Sequence, residues 1–578
     1  MKLFYPFSRI FSPLLQSWAF GDGGIIIIFI LLIIQLPAQD NRLRLQQADL
    51  LENKNINGKS TQFLTGNVVF KKGQMTIRCD NARYIERTGQ GLLIGHVVMD
   101  KEGQKLTADS VHFDSPNDKF TCYNNVHIWD EDYDLTADTV IYYSELDSGI
   151  ANGNSKMIQE SQIITAHHLR YVKHERKNAV SYTAEQDVTI VESARVATCG
   201  LAIYDVENDK TWLRINPKLE EEGRVLEGSE IQMYYADNVL DYVYIPAKAH
   251  IINKTSGYRE IELNELDSTI MKRLYVSFDD DMTGSALKGY FVDGSLDSVR
   301  LEGMATTLYH IFKDSVYQGN NFASGDTIVM SLTSVDSAEI QLDYIHISGG
   351  SRGVFTPDTS NKEMEAPITY TSHEIFYNMQ TEKTDLTGDA NIKYTDVELT
   401  SGYINVDWND NLLKAFPAPP ADSTVGFKKP TIVERGRDPM VGDTLVYNLK
   451  SRKGRVKQGR SKADDGYYSG VEIRNNDNKV YYIENSSYTT CDLETPHFHF
   501  ESKNMKIINN DKVIARPIVL YISRIPIIAF PFGIFPHKSG GRHSGWIMPG
   551  YGENSVRGQY INNFGYFWAP SKYWGTKF

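Results

Sequence analysis

Between residues 64 and 171 apolar and polar positions alternate with a period of two, and the alternation itself recurs. Gly66-Asn67-Val68, Gly95-His96-Val97, Asn124-Asn125-Val126 and Gly153-Asn154-Ser155 follow one another at steps of 29 residues. Two further columns keep the same step: Asp80, Asp109, Asp138 and His167, then Tyr84, Phe113, Tyr142 and Tyr171. Such self-similarity marks a repeat architecture. Down the columns, Val68, Val97 and Val126 stay apolar, as do Phe70, Met99, Ile128 and Met157, and Ile77, Leu106, Leu135 and Ile164. Cys79, Ala108, Ala137 and Ala166 are small, whereas Arg78, Thr107, Thr136 and Thr165 between these columns are polar. A period of two predicts strands buried on one face. Past the acidic column the parity inverts, so that Ala82, Val111, Val140 and Leu169 share a face with the aromatic column. Asp at such a corner can bond its own backbone and turn the chain. Each repeat is therefore expected to be a few short strands with bends, stacked on its neighbour.

Stacking turns identical columns into apolar stripes. From the pattern alone these stripes form either a packed core or the lining of an open groove. The lining candidates are Val68, Phe70, Ile77, Tyr84, Val97, Met99, Leu106, Val111, Phe113, Val126, Ile128, Leu135, Val140 and Tyr142.

The same vocabulary returns later in the chain. Leu226-Glu227-Gly228 and Leu301-Glu302-Gly303 open related units, and Leu386-Thr387-Gly388-Asp389-Ala390 mirrors Leu64-Thr65-Gly66-Asn67-Val68. Leu399, Ser401, Ile404 and Val406 then repeat the offsets of Ile77, Cys79, Ala82 and Tyr84. Ser348 to Ala366, with Gly349-Gly350 and Pro357, reads as a linker, and Phe416 to Pro430 as an insertion. Lys2 and Arg9 ahead of the run Ile25–Ile34 and Leu36-Pro37-Ala38 read as a cleaved secretory signal. The expected organisation is a signal over 1–38 and repeats over 40–200, 201–356 and 360–480. A junction with the first strands of an outer-membrane barrel is expected over 485–578, where Tyr560, Phe564, Tyr566, Trp568 and Trp574 resemble interfacial aromatics.

Composition narrows the chemistry. A formal net charge of −13 over 578 residues argues against nucleic acid as a partner. Four cysteines are too few for a disulfide scaffold, and Cys79 and Cys122 fall in small or apolar columns, as core residues would. The acidic column invites comparison with the paired carboxylates of β-helical polysaccharide-active enzymes. It recurs at every bend, however, as turn residues do, so no catalytic residue, cofactor or metal site is expected. The basic run Lys450, Arg452, Lys453, Arg455, Lys457, Arg460 and Lys462 reads as a strand with one cationic face, either solvated or in contact with phosphates.

Two stretches carry a resemblance. Gly-Asn-Val followed by Thr136-Ala137-Asp138-Thr139-Val140-Ile141-Tyr142 is one. The other is Tyr488-Thr489-Thr490-Cys491-Asp492, continued by Ile522 to Pro536 and Ser544-Gly545-Trp546-Ile547-Met548-Pro549. In this the chain resembles the lipopolysaccharide-assembly outer-membrane family LptD, also called OstA. The resemblance implies an all-β protein: a β-jellyroll of stacked repeats in the periplasm, then the start of an incomplete outer-membrane β-barrel. It implies lipopolysaccharide as cargo, its acyl chains shielded in an apolar groove, and insertion into the outer membrane. An LptA-like periplasmic bridge protein and, for a completed barrel, an LptE-like lipoprotein are the implied partners. Cys491 matches a family cysteine, and Pro549 and Gly565 fall where the family interrupts strands beside a lateral opening. A soluble LptA/LptC-like bridge or lipid-binding protein is the alternative reading.

Overall fold

The computed structural model describes residues 43–578 apart from 57, 175–178, 266–267, 336–338, 362–363, 419–426, 464–465, 478–479, 494, 509–510, 537–543, 548 and 572. The expected signal segment and part of the expected insertion lie outside the described residues. Strands dominate; the one helical element among the described residues is a single 3₁₀ turn, Ser115–Asn117. Strands from Arg44–Gln47 to Gly533–Pro536 join one sheet of 38 strands, antiparallel but for a single parallel contact of Tyr258 with Val316, in which most sequence neighbours pair. The boundaries expected near residues 200, 356 and 480 are not breaks in this hydrogen-bonded ladder.

Each repeat consists of two long bent strands rather than several short ones. Lys59–Lys72 pairs with Met75–Ile85, which pairs with Gln90–Lys101, and so on to Arg195–Asp205. The bend is a two-against-one bulge. Thr65 faces Asn81 and Val68 faces Cys79, so Gly66 and Asn67 together oppose the single residue Asp80. Gly66 (φ 76°) and Asn67 (φ 44°) are both left-handed, as are Gly95 and His96, Asn124 and Asn125, and Gly153 and Asn154. The strand with two corner residues keeps its inward parity (Leu64, Val68), whereas the strand with the single Asp80 inverts it (Cys79, then Ala82), which is the inversion visible in the sequence.

The acidic column works differently from the expectation. The carboxylates accept hydrogen bonds from the corner residues of the next strand. His96 Nδ1 lies 2.8 Å from Asp80, Asn125 Nδ2 3.0 Å from Asp109 and Asn154 Nδ2 2.9 Å from Asp138. The carboxylate thereby covers the corner glycine: a Cβ on Gly95 would come 2.4 Å from Asp80 Oδ2. Glycine is required there for its backbone and for space alike.

The corner also explains the segment expected to be a linker. Ser348 to Pro357 belongs to the strand Glu339–Pro357. Gly349 (φ 83°) and Gly350 (φ 66°) form its corner, with Asp326 under Gly349 as Asp80 is under Gly95. Gly-Gly and Pro read locally as loop chemistry, but here glycine serves a bulge within a ladder. Phe416 and Thr431, which flank the expected insertion, end and begin strands that both pair with Val397–Asp407. The insertion is thus placed at a corner.

Two outcomes are expected from the corner. Gly95→Ala should destabilise the fold by about 1 kcal/mol or more beyond Gly103→Ala, whose φ is also positive but whose Cβ would meet nothing within 4 Å; urea denaturation followed by circular dichroism measures the difference. The hydrogen bond to Asp80, with its charge, raises the His96 pKa above 6.5. A raised folded-state value means that this contact contributes fully below the unfolded pKa and is lost as pH rises through the folded one. NMR titration should find His96 above its ordinary value and Asp80→Asn should return it there.

Candidate functional site

The inward columns of the bent strands form one continuous apolar interior. Phe70, Ile77, Val97, Val111, Phe113, Ile128, Leu135 and Val140 are fully buried, and Tyr84, at 7 % exposure, is the most exposed of the fourteen expected lining residues. Rings from successive repeats touch: Phe70–Tyr84 at 5.7 Å, Tyr84–Phe113 at 5.8 Å and Phe113–Phe120 at 6.5 Å between centroids. The expected columns thus share the inward face. Over these first repeats the face is packed side chain against side chain. Cys79 and Cys122 lie in it, as expected.

What closes the interior is a seam. Bending every strand at a corner brings the two rows of hairpin turns towards each other, and side chains tie one row to the other. Lys72, beside one turn, pairs with Asp118 of the opposite row, the lysine side chain being only 4 % exposed. One period on, Lys101 Nζ reaches the Ser144 carbonyl and Gln104 Nε2 lies 2.8 Å from Asp147. Lys173 pairs with Asp130 at 2.6 Å and Asp132 at 2.7 Å. Further along, Glu160 takes Asn238 at 3.0 Å, Arg195 donates to the Gly294 carbonyl at 2.7 Å, and Arg437 meets Tyr481. The first ties join residues 43 or 46 positions apart, about one and a half repeats, so the two rows are sheared against each other. The result is a flattened tube with ion pairs and amide bonds along one side.

Midway, the seam is exposed to solvent. There Lys313 Nζ is 3.5 Å from Glu382 and 3.4 Å from Asn409, and both members of the ion pair are more than a third exposed. A cavity of about 270 Å³ lies beside it. Ile345, Ile347, Tyr370, Leu386, Val406 and Trp408 contribute its apolar wall, while Lys313, Gln318, Glu382 and Asn411 stand on the turn side. Thr307, with no exposed surface, adds a hydroxyl without a hydrogen-bond partner. Sequence reasoning placed the groove candidates upstream of this cavity. The columns around residues 307–449 follow the same parity, but the longer strands (Val316–Val335 has 20 residues) obscure the period.

At the C-terminal end, Gly545–Ile547 pairs with Gly565–Trp568, and Gly550–Asn554 pairs with Gly558–Asn562. These are two halves of one hairpin. Ile547 faces Gly565 and Gly550 faces Asn562, so the register continues unchanged across a gap holding Pro549 on one strand and Asn563 and Phe564 on the other. Proline has no N–H to give to a ladder, and Asn563 is left-handed at φ 56°. Gly565 is the first paired residue beyond the gap, and a Cβ there would come 2.3 Å from the Phe578 carbonyl oxygen. Trp546 stacks on Phe564 at 5.8 Å and packs on Phe530 at 4.5 Å, which seats the hairpin on the end of the long sheet. Cys491 is a free, buried thiol with Sγ 3.5 Å from His497 Nδ1.

With this geometry in view, comparison with known proteins is informative. The family described as LptA/(LptD N-terminal domain) LPS transport protein matches residues 47–148 and again 105–239. The two matches begin at residues 47 and 105, two repeat periods apart, so the match itself follows the stack. The family described as LptD protein matches residues 513–578, the span holding the interrupted hairpin. At both ends, then, the chain is similar to the LptD family. It is 30 % identical over 130 residues to the LPS-assembly protein LptD of Nitrosospira multiformis, covering 22 % of this chain and 14 % of that protein. It is 31 % identical over 90 residues to the LptD of Bordetella avium, covering 15 % and 11 %. The matched stretches thus span about a seventh or less of these relatives. The corners of the first repeats and the gap at Pro549 lie within the matched spans.

The seam predicts its own energetics. Lys72→Met leaves Asp118 charged and without its cation, at a cost of about 3–5 kcal/mol. Adding Asp118→Asn should recover part of this, because it removes the uncompensated charge while its single amide oxygen still accepts from either the Ser144 hydroxyl or the Glu145 N–H. Denaturant midpoints of the single and double variants check it.

Proposed function

We propose that this chain carries lipopolysaccharide towards the outer membrane, with acyl chains held in the apolar interior and admitted where the seam parts. The observation that supports this most is the coincidence of the largely apolar interior cavity with an exposed stretch of the seam. A volume of 270 Å³ is slightly below the range of about 300–1,000 Å³ usual for ligand pockets. It accommodates a segment of one chain, so a lipid with several chains needs the seam to open further. Each methylene taken from water contributes about 0.8 kcal/mol, and a chain of about twelve therefore supplies roughly 10 kcal/mol towards parting the exposed ties. No group in the interior needs to do chemistry.

The ends of the sheet fit a place between two compartments. The strand Leu50–Ile56 pairs on one side with Lys59–Lys72. Leu50 and Leu51 are 54 % and 48 % exposed. A strand from an LptA-like bridge protein, added to the free side, would continue the stack. The opposite end carries exposed Ile561, Phe564, Trp568 and Trp574, a surface suited to the outer membrane, with the hairpin gap at Pro549 and Gly565 beside a lateral exit. The stacked repeats then lie in the periplasm, and an LptE-like lipoprotein belongs with a completed barrel.

Photo-crosslinking tests the interior. A photoreactive residue at Val97, Phe113 or Trp408 should capture lipopolysaccharide in cells, whereas the outward Thr107 should not. Capture at Trp408 alone would confine the lipid to the mid-stack cavity and leave the first repeats as a packed core. Equal capture at every position, or none, would reject the carrier reading.

A further inference from the structure

The outer face of the stack holds a second concavity, which the carrier reading does not use. Strand Gly454–Ala463, containing most of the basic run, pairs with Gly466–Asp477, which pairs with Val480–Thr489, which pairs with Phe498–Ile508. Residues directly opposite one another share a face. One outward row therefore runs Arg460, Ser469, Ser487, Glu501, and the adjacent row runs Lys462, Tyr467, Thr489, His499, Tyr521. Leu493 and Pro496 wall one side and Lys429 and Val441 the other, enclosing about 660 Å³.

The chemistry of this groove differs along its length. At one end, the Arg460 guanidinium lies 4.9 Å and the Lys462 ammonium 6.0 Å from the Tyr467 ring centroid. Among the described residues no carboxylate lies within ion-pairing distance of either cation. Lys429, the third cation, is held by Asp443 at 3.0 Å. The floor is built of small hydroxyls, Ser469 and Ser487. At the far end His499 stacks on Tyr521 at 5.1 Å, its Nε2 3.3 Å from Glu501. Its buried Nδ1 has no hydrogen-bond partner. Two cations without an ion pair among the described residues can take an anion, and a planar guanidinium fork suits a phosphate. The groove is also far too large for a bare phosphate, and its hydroxyl floor beside an aromatic face is what a sugar ring uses.

We propose that this groove binds a phosphorylated saccharide, with the phosphate on Arg460 and Lys462, the sugar across Ser469 and Ser487, and a ring face against Tyr467. The site stands on its own geometry and does not depend on what the interior carries.

Calorimetry on the full chain in detergent, with glucose 6-phosphate, inorganic phosphate and glucose as separate probes, tests it. Glucose 6-phosphate should bind at least about tenfold more tightly than either fragment. Arg460→Gln with Lys462→Gln should weaken it by about tenfold or more without moving the melting temperature, because both side chains are outward and unpaired. Tyr467→Leu should remove the preference over inorganic phosphate while leaving phosphate binding intact. Equal affinity for inorganic phosphate would reduce the groove to an unspecific anion patch and overturn the proposal. Capture of phosphatidylglycerol vesicles without glucose 6-phosphate binding would overturn it in favour of a membrane contact, and an absence of binding to every probe would also overturn it.

Discussion

A pair of left-handed residues opposite a single aspartate is the feature on which this architecture depends. Without it, strands of 10 to 14 residues would stack into a flat sheet with one apolar face open to water. The two-against-one mismatch bends both strands of a pair, and the parity inversion at each single Asp keeps the apolar side chains of both halves turned towards a common interior. Left-handed backbone costs an L-residue about 1–2 kcal/mol, and the chain lowers this cost with Gly, Asn or His. The hydrogen bond from each corner to the preceding Asp then fixes the bend. Repetition in register lines the corners up along one edge of the stack and the hairpin turns along the other.

The turns can meet only because the corners bend every strand alike. Their meeting converts a folded sheet into a tube, and the ties across the seam decide how firmly it is closed. A buried lysine–aspartate pair such as Lys72–Asp118 is costly to separate, since each partner would be left in a poorly solvated site. An exposed pair such as Lys313–Glu382 contributes little. The tube parts more easily at exposed ties than at buried ones, and the cavity lies beside an exposed one. The two faces of the sheet consequently offer different chemistry, an apolar interior and, near residues 454–499, a polar and cationic exterior groove.

The hairpin at the C-terminal end shows the same economy of means. One proline and one left-handed asparagine interrupt a ladder without shifting its register, so the strands beyond the gap remain aligned. A shift of one residue would have turned every side chain of the distal half to the other face.

Much of this was legible in the residues. The 29-residue step, the inward columns and the parity inversion belong to a single strand and its neighbour, where period two leaves a local trace. Gly349-Gly350 misled for the same reason, because a glycine pair carries one local signature whether it serves a loop or a bulge. The ties from Lys72 to Asp118, from Arg195 to Gly294 and from Lys313 to Glu382 left no such trace. They join residues 46, 99 and 69 positions apart, and which residues meet depends on the twist and shear that many strands accumulate before the two rows of turns come together. The position of the cavity, and the row that sets Arg460 beside Ser469 and Ser487, were decided in the same way by tertiary structure, since opposition across a folded sheet is a property of the whole stack and of no one segment.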